Sequence, residues 1–120
     1  ASRMRSANFT SAGSGEKTVV VDAEEIDWIE AADYYATLHV RGGKEHLLRE
    51  TLTELERRLD PRRFFRVHRS AIVNLERVRE IHPLFRGDCE LVLRDGARVR
   101  LSRTRRREFQ RLFAGPSAGR

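Results

Sequence analysis

Several residue types are nearly missing from this chain of 120 residues. It has a single cysteine, Cys89, which excludes an intrachain disulfide and suits a reducing compartment, the cytoplasm. His39, His46, His68 and His82 lack cysteine partners and the spacing of a zinc site, so no metal is expected. His39 and His46 could face each other across a hairpin, but two ligands do not make a site. No stretch approaches the roughly 18 consecutive apolar residues that a membrane-spanning helix needs. There is no GxSxG elbow and no glycine loop to cradle phosphate, so no cofactor or small-molecule substrate is expected. Lysine is scarce as well: of 24 basic residues only Lys17 and Lys44 are lysines, which leaves 22 arginines.

What is present is charge, unevenly spread. The net charge is +6 and the isoelectric point near 10.6. Residues 1–61 carry 8 basic and 12 acidic side chains, whereas residues 62–120 carry 16 and 6. A half this basic suits a polyanion, with nucleic acid first and an anionic membrane surface second. An arginine-rich background composition would give the same excess with no partner.

Along the chain, residues 1–15 are small and polar and lack the apolar segment of a secretory signal, so they read as a disordered leader or linker. From Thr18 the pattern turns mainly to strand. Ile26 and Trp28, with Glu30, alternate with Asp27 and Ile29. Residues 37–40 and 45–48 flank Arg41-Gly42-Gly43-Lys44, a hairpin whose glycines supply positive φ. Thr51 and Glu54 form a capping box, and Leu48, Leu52, Leu55 and Leu59 lie on one helical face up to Asp60-Pro61. A strand is expected to reach Pro83. Asp95-Gly96 between two alternating segments is a strong hairpin signal. Ser102 is a suitable N-cap for a last helix buried through Phe109, Leu112 and Phe113, and Gly115-Pro116 stops it. The expected architecture is mainly β and antiparallel, with one internal and one C-terminal helix. The domain should span 16–115, with 116–120 as a disordered tail.

Two basic clusters fall where the chain changes structure. One is Arg66-Val67-His68-Arg69-Ser70, whose alternation puts Val67 opposite Arg66 and His68. The other is Ser102-Arg103-Thr104-Arg105-Arg106-Arg107, where arginines crowd a helix N-terminus against the dipole. A phosphate bound there would remove the conflict. Arginine suits both phosphate clamping and bidentate recognition of guanine. His68 and Ser70 could be read as base and nucleophile, but no carboxylate stands nearby to orient the imidazole, and an enzyme is not expected. Asn74 is placed to bond a turn backbone. Tyr34 and Tyr35 could be packed, exposed or base-contacting, and periodicity does not choose.

The order of these signals resembles the LytTR DNA-binding domain of bacterial response regulators. The resemblance rests on IDWIEAADYY (26–35), HLLR (46–49), TLTELERRL (51–59), FFRVHRSAIVN (64–74) and DGARVRLSR (95–103), about four-fifths of the chain. It departs at Ala71, where the family usually has an aromatic residue. The resemblance implies an elongated array of mostly antiparallel strands whose loops enter successive major, minor and major grooves of double-stranded DNA. Carried over by motif, Tyr34 and Tyr35 would lie in the first major groove, Arg69 in the minor groove and Arg103 in the second major groove. Arg66, His68, Ser70 and Ser102 would hold phosphates or support the loops, and Arg105, Arg106 and Arg107 add a basic run beside them. The family also implies promoter repeats as targets, a homodimer on DNA, and an N-terminal receiver or membrane sensor module joined through residues 1–15. Outside that resemblance, the charge alone leaves a non-specific anion-binding module for RNA or membrane as the alternative.

Overall fold

The computed structural model describes the backbone of residues 6–11 and 17–114, with side chains described over 20–112. Among the described residues ten strands and two helices follow one another. They are β1 (Ser6–Ser11), β2 (Lys17–Asp22), β3 (Ile26–Ala32), β4 (Tyr35–Val40), β5 (Lys44–Leu48), α1 (Leu52–Arg58), β6 (Phe64–His68), β7 (Ala71–Asn74), β8 (Val78–Pro83), β9 (Cys89–Leu93), β10 (Arg98–Leu101) and α2 (Arg103–Ala114). Every strand pair is antiparallel. Seven strands form one sheet in the order β2-β1-β5-β4-β3-β7-β6, and β10-β9-β8 form a second. The molecule is elongated, 48 × 37 × 25 Å.

Turn chemistry sets the registers. Gly42 and Gly43 sit at φ 89° and 85°, closing β4 onto β5, and Gly96 at φ 94° closes β9 onto β10. Both hairpins therefore lie where the glycines require them. In the β4–β5 register His39 stands opposite Glu45 and His46 opposite Leu38, so the two histidines do not meet. His39 instead stacks on Trp28, with ring centroids 4.5 Å apart, and its Nε2 lies 2.7 Å from Glu30.

Two readings change. The polar leader contributes a strand, because Ser6–Ser11 pairs along its length with β2 and touches β5 at Leu48. Its composition hides this, since a strand can draw its stability from backbone pairing with a neighbour that carries the apolar side chains. Residues 1–5, 12–16 and 115–120, including the expected tail and helix stop, lie outside the described residues. The alternation in β3 is also broken, by a bulge between Ile26 and Trp28. Ile26 and Ile29 consequently face the same core, while Trp28 packs on the other side. The extra residue is Asp27, buried and held by the Arg77 guanidinium at 2.8 Å.

The described residues form two cores, and β7 belongs to both. Its four residues are all buried. Ile72 faces α1, where Leu52, Leu55 and Leu59 pack with Leu48 and Phe64. Ala71 and Val73 face the three-stranded sheet and Phe109 of α2. The leucine face is thus a core face as expected, and the Thr51–Glu54 capping box closes in both directions. Phe109 is fully buried with Leu112 beside it, whereas the Phe113 side chain lies outside the described set. Asn74 fulfils its expected role. Its Oδ1 accepts the Glu76 N–H at 3.0 Å and its Nδ2 donates to the Ile26 carbonyl at 2.9 Å.

Candidate nucleic-acid interface

The strand directions bring three connections to one end of the molecule. β3 and β7 are antiparallel with Glu30 opposite Ala71, so the turn after β3 and the turn before β7 adjoin. The Ala31 N–H donates to the Ser70 carbonyl at 2.9 Å and joins the two turns. The end of β10 reaches the same place, since the Ser102 N–H donates to the Val67 carbonyl at 3.0 Å. Tyr34 and Tyr35, Arg69 and Ser70, and Ser102 and Arg103 are therefore neighbours at one rim.

The β3–β4 turn consists of Asp33 and Tyr34. Asp33 takes φ 55°, a left-handed conformation that short polar side chains tolerate. Tyr34 is 85% exposed, so neither core claims it, and Tyr35 is exposed at the start of β4. A cleft of about 530 Å³ runs from these tyrosines past Arg49 to Arg66 and Arg69.

The β6–β7 turn is held from inside. Alternation along β6 buries Val67 and turns Arg66 to the α1 side. There one Arg66 nitrogen donates to the Thr53 hydroxyl at 3.1 Å and lies 3.4 Å from Glu56. The other donates to the Arg69 carbonyl at 2.7 Å, while Nε has no partner. His68 Nδ1 accepts the Ser70 N–H at 3.0 Å, which places the proton of the neutral ring on Nε2. Burial holds the His68 pKa below the usual histidine value, and the cations of Arg100, Arg69, Arg105 and Arg66 push it further down. His68 is a neutral clamp on the turn. Its accepting nitrogen faces a backbone amide, not the Ser70 hydroxyl, so the base–nucleophile pair is not assembled.

The start of α2 contains an anion that the sequence did not reveal. The Asp88 carboxylate accepts the Arg103 N–H through Oδ1 at 2.8 Å and pairs with Arg100 through Oδ2 at 3.2 Å. It is the acidic group the helix dipole favours at this end, supplied from 15 residues upstream. The dipole conflict expected of the arginine run is thereby answered within the chain, without a bound phosphate. The Ser102 hydroxyl pairs with that of Thr104 at 3.2 Å. Arg105 donates to the Arg66 carbonyl at 3.0 Å and Arg106 to the Gly87 carbonyl at 3.3 Å.

The candidate residues thus separate by what they already hold. Arg66, His68, Ser102, Arg105 and Arg106 make internal hydrogen bonds that fix the rim. The guanidiniums of Arg69, Arg103 and Arg107 are exposed and pair with no group among the described residues. Sequence reasoning missed Thr53, Glu56, Gly87, Asp88 and Arg100, all supporting partners. Only the tertiary fold brings them near, and no short-range pattern marks them.

Comparison with known proteins gives the family of the fold. Residues 16–114 match the model of the LytTr DNA-binding domain family. Sensory transduction protein LytT of Bacillus subtilis (strain 168) is 33% identical over 99 residues, covering 82% of this chain and 41% of that protein. Transcriptional regulatory protein YpdB of Escherichia coli (strain K12) is 34% identical over 99 residues, covering 82% of this chain and 40% of that protein. This chain thus spans about two-fifths of the length of these relatives. A solved LytTr DNA-binding domain of a putative methyl-accepting/DNA response regulator from Bacillus cereus superposes with a TM-score of 0.77 at 24% identity, over 90% of this chain and 97% of that one. The mainly antiparallel fold with two helices, the groups assembled at one rim and the match over nearly the whole described chain lead to one conclusion: this chain belongs to the LytTR family of DNA-binding domains.

Proposed function

We propose that this domain reads double-stranded DNA by sequence as the effector part of a bacterial transcription regulator acting in the cytoplasm, joined on its N-terminal side to a receiver or sensor module. The observation that carries the reading is the sorting of arginines at the rim. Five of the candidate groups are engaged in building it, and three guanidiniums stand free upon it. A general anion-binding surface has no need of such a frame. A base-reading surface does, because a bidentate contact to guanine requires a fork held in position.

In this reading Arg103 enters a major groove from the first turn of α2, anchored by Asp88. Arg69 enters the minor groove from a turn held by Arg66 and His68. Tyr34 and Tyr35 offer aromatic and hydroxyl groups to the first major groove, and Ser70 lies at the Arg69 turn. Arg107, with the outer faces of Arg105 and Arg106, neutralises phosphate. The family resemblance supports promoter repeats as the target and two domains side by side on them. Regulation follows if the attached module alters how readily two copies meet on DNA.

The test is a selection of bound duplexes from a random pool, followed by affinity measurements on the selected and scrambled sequences. The domain should prefer the selected duplex, and Arg103→Ala should lose about 1–3 kcal/mol of that preference at one position. Equal binding to all duplexes would overturn the reading.

A further inference from the structure

The connection between β8 and β9 enters the interface described above only through Gly87 and Asp88, as supports, yet it carries the most exposed large apolar side chain among the described residues. Phe85 is 93% exposed and Leu84 lies partly exposed beside it. A lone surface phenylalanine is ordinary by itself. This one differs in where it is held. The meander β8-β9-β10 places residues 84–88 at the same end as Ser102 and Arg103, with the Asp95-Gly96 turn at the opposite end.

The loop is also fastened to that rim. The Leu84 N–H donates to the Asp88 carbonyl at 2.8 Å and closes the loop. Asp88 holds the Arg103 amide at 2.8 Å, and the Gly87 carbonyl accepts from Arg106 at 3.3 Å. A Cβ placed on Gly87 would stand 3.3 Å from the Arg103 Cβ, so the loop and the start of α2 are packed together. The loop that carries Phe85 and Arg86 is thus fixed beside the backbone from which Arg103 extends.

Charge selects the kind of surface that covers Phe85. Arg86, Arg103 and Arg107 pair with no group among the described residues, and all three are exposed. A protein surface covering Phe85 would have to supply several carboxylates for them. A duplex offers phosphates to the cations and apolar base edges to the ring, the thymine methyl above all.

We propose that the loop 84–87 is a further DNA-contacting element, with Phe85 laying its ring on a thymine methyl in the groove entered by Arg103 and Arg86 meeting an adjacent phosphate. The proposal rests on the DNA-reading function above.

The experiment uses the whole chain and the duplex it selects from a random pool. Affinities are measured for wild type, Phe85→Ala and Arg86→Gly, the last chosen because Arg86 sits at φ 66° and glycine keeps that backbone. Each thymine of the selected site is replaced in turn by deoxyuridine, which removes only the methyl. Phe85→Ala should bind about tenfold more weakly with an unchanged thermal melt, and one deoxyuridine should weaken wild type but not the variant. Arg86→Gly should lower the salt slope by about one. Wild-type affinity in Phe85→Ala, or equal deoxyuridine penalties in both proteins, overturns the contact. A change in self-association of the free chain on Phe85→Ala also overturns it, in favour of a contact between copies. Failure to select any duplex sinks the DNA-reading function itself, a separate result.

Discussion

The Asp88 carboxylate grips the backbone amide of Arg103, placing a negative charge beneath the arginine that carries the positive one outward. The pair separates two duties that crowd at one helix start. Asp88 meets the exposed amide and the dipole, which leaves the Arg103 guanidinium uncommitted.

Asp88→Ala should therefore act in two directions. The lost cap and Arg100 pair should cost about 0.5–2 kcal/mol of stability, seen as a lower melting temperature. Removing an anion beside a polyanion site should at the same time raise affinity for scrambled duplexes. The ratio of selected to scrambled binding should fall. A variant with unchanged melting and an unchanged ratio would show that Asp88 does not position the helix start.

Arg66→Ala should resemble a folding defect more than a lost DNA charge. It removes donors to the Arg69 carbonyl, Thr53 and Glu56, and hydrogen bonds to a charged partner are worth about 1.5–3 kcal/mol. Arg107→Ala should leave the melt unchanged and lower the slope of log affinity against log salt by about one. Reversal of these two patterns would mean that the supporting and presenting roles have been exchanged.

His68 should make stability depend on pH. Its pKa is lowered in the folded chain, so below the ordinary histidine value of about 6.5 the unfolded chain takes up a proton that the folded chain resists. The His68 contribution is therefore intact above about pH 6.5 and is lost as the pH falls through the lower folded value. Denaturant melts at stepped pH should show this decline in wild type and a flatter profile in His68→Gln. Parallel profiles would remove His68 as its source.

Asp27→Ala should be among the most damaging changes to the fold. It leaves Arg77 without its buried partner, and breaking such a pair costs about 3–5 kcal/mol. Replacing both residues with apolar ones should recover much of the loss, as measured by denaturant midpoints of the single and double variants.

The sequence displayed what depends on local chemistry. Gly42-Gly43, Asp95-Gly96 and the Thr51–Glu54 box each act within a few residues, and each lies where its pattern indicated. The motif strings single out Arg69 and Arg103, and both side chains are exposed. What stayed hidden depends on partners far along the chain. The bulge at Asp27 answers to Arg77, 50 residues away, and the anion at α2 comes from β9's leading edge. The strand in the polar leader needed β2 beside it. Nor does any periodicity tell a guanidinium that holds a carbonyl, as in Arg105, from one left free, as in Arg107.

The junction of β10 with β6 has a consequence for the length of the target. The Ser102–Val67 hydrogen bond, seconded by Arg105 on the Arg66 carbonyl, fixes how far apart the Arg69 turn and the Arg103 helix stand. In the DNA-reading arrangement these are two fingers of one gauge, whose setting lies in the protein interior. Inserting one base pair between their two contacts shifts them by about 3.4 Å along the axis and turns them about it. Both hydrogen bonds at that junction would have to give for the domain to follow.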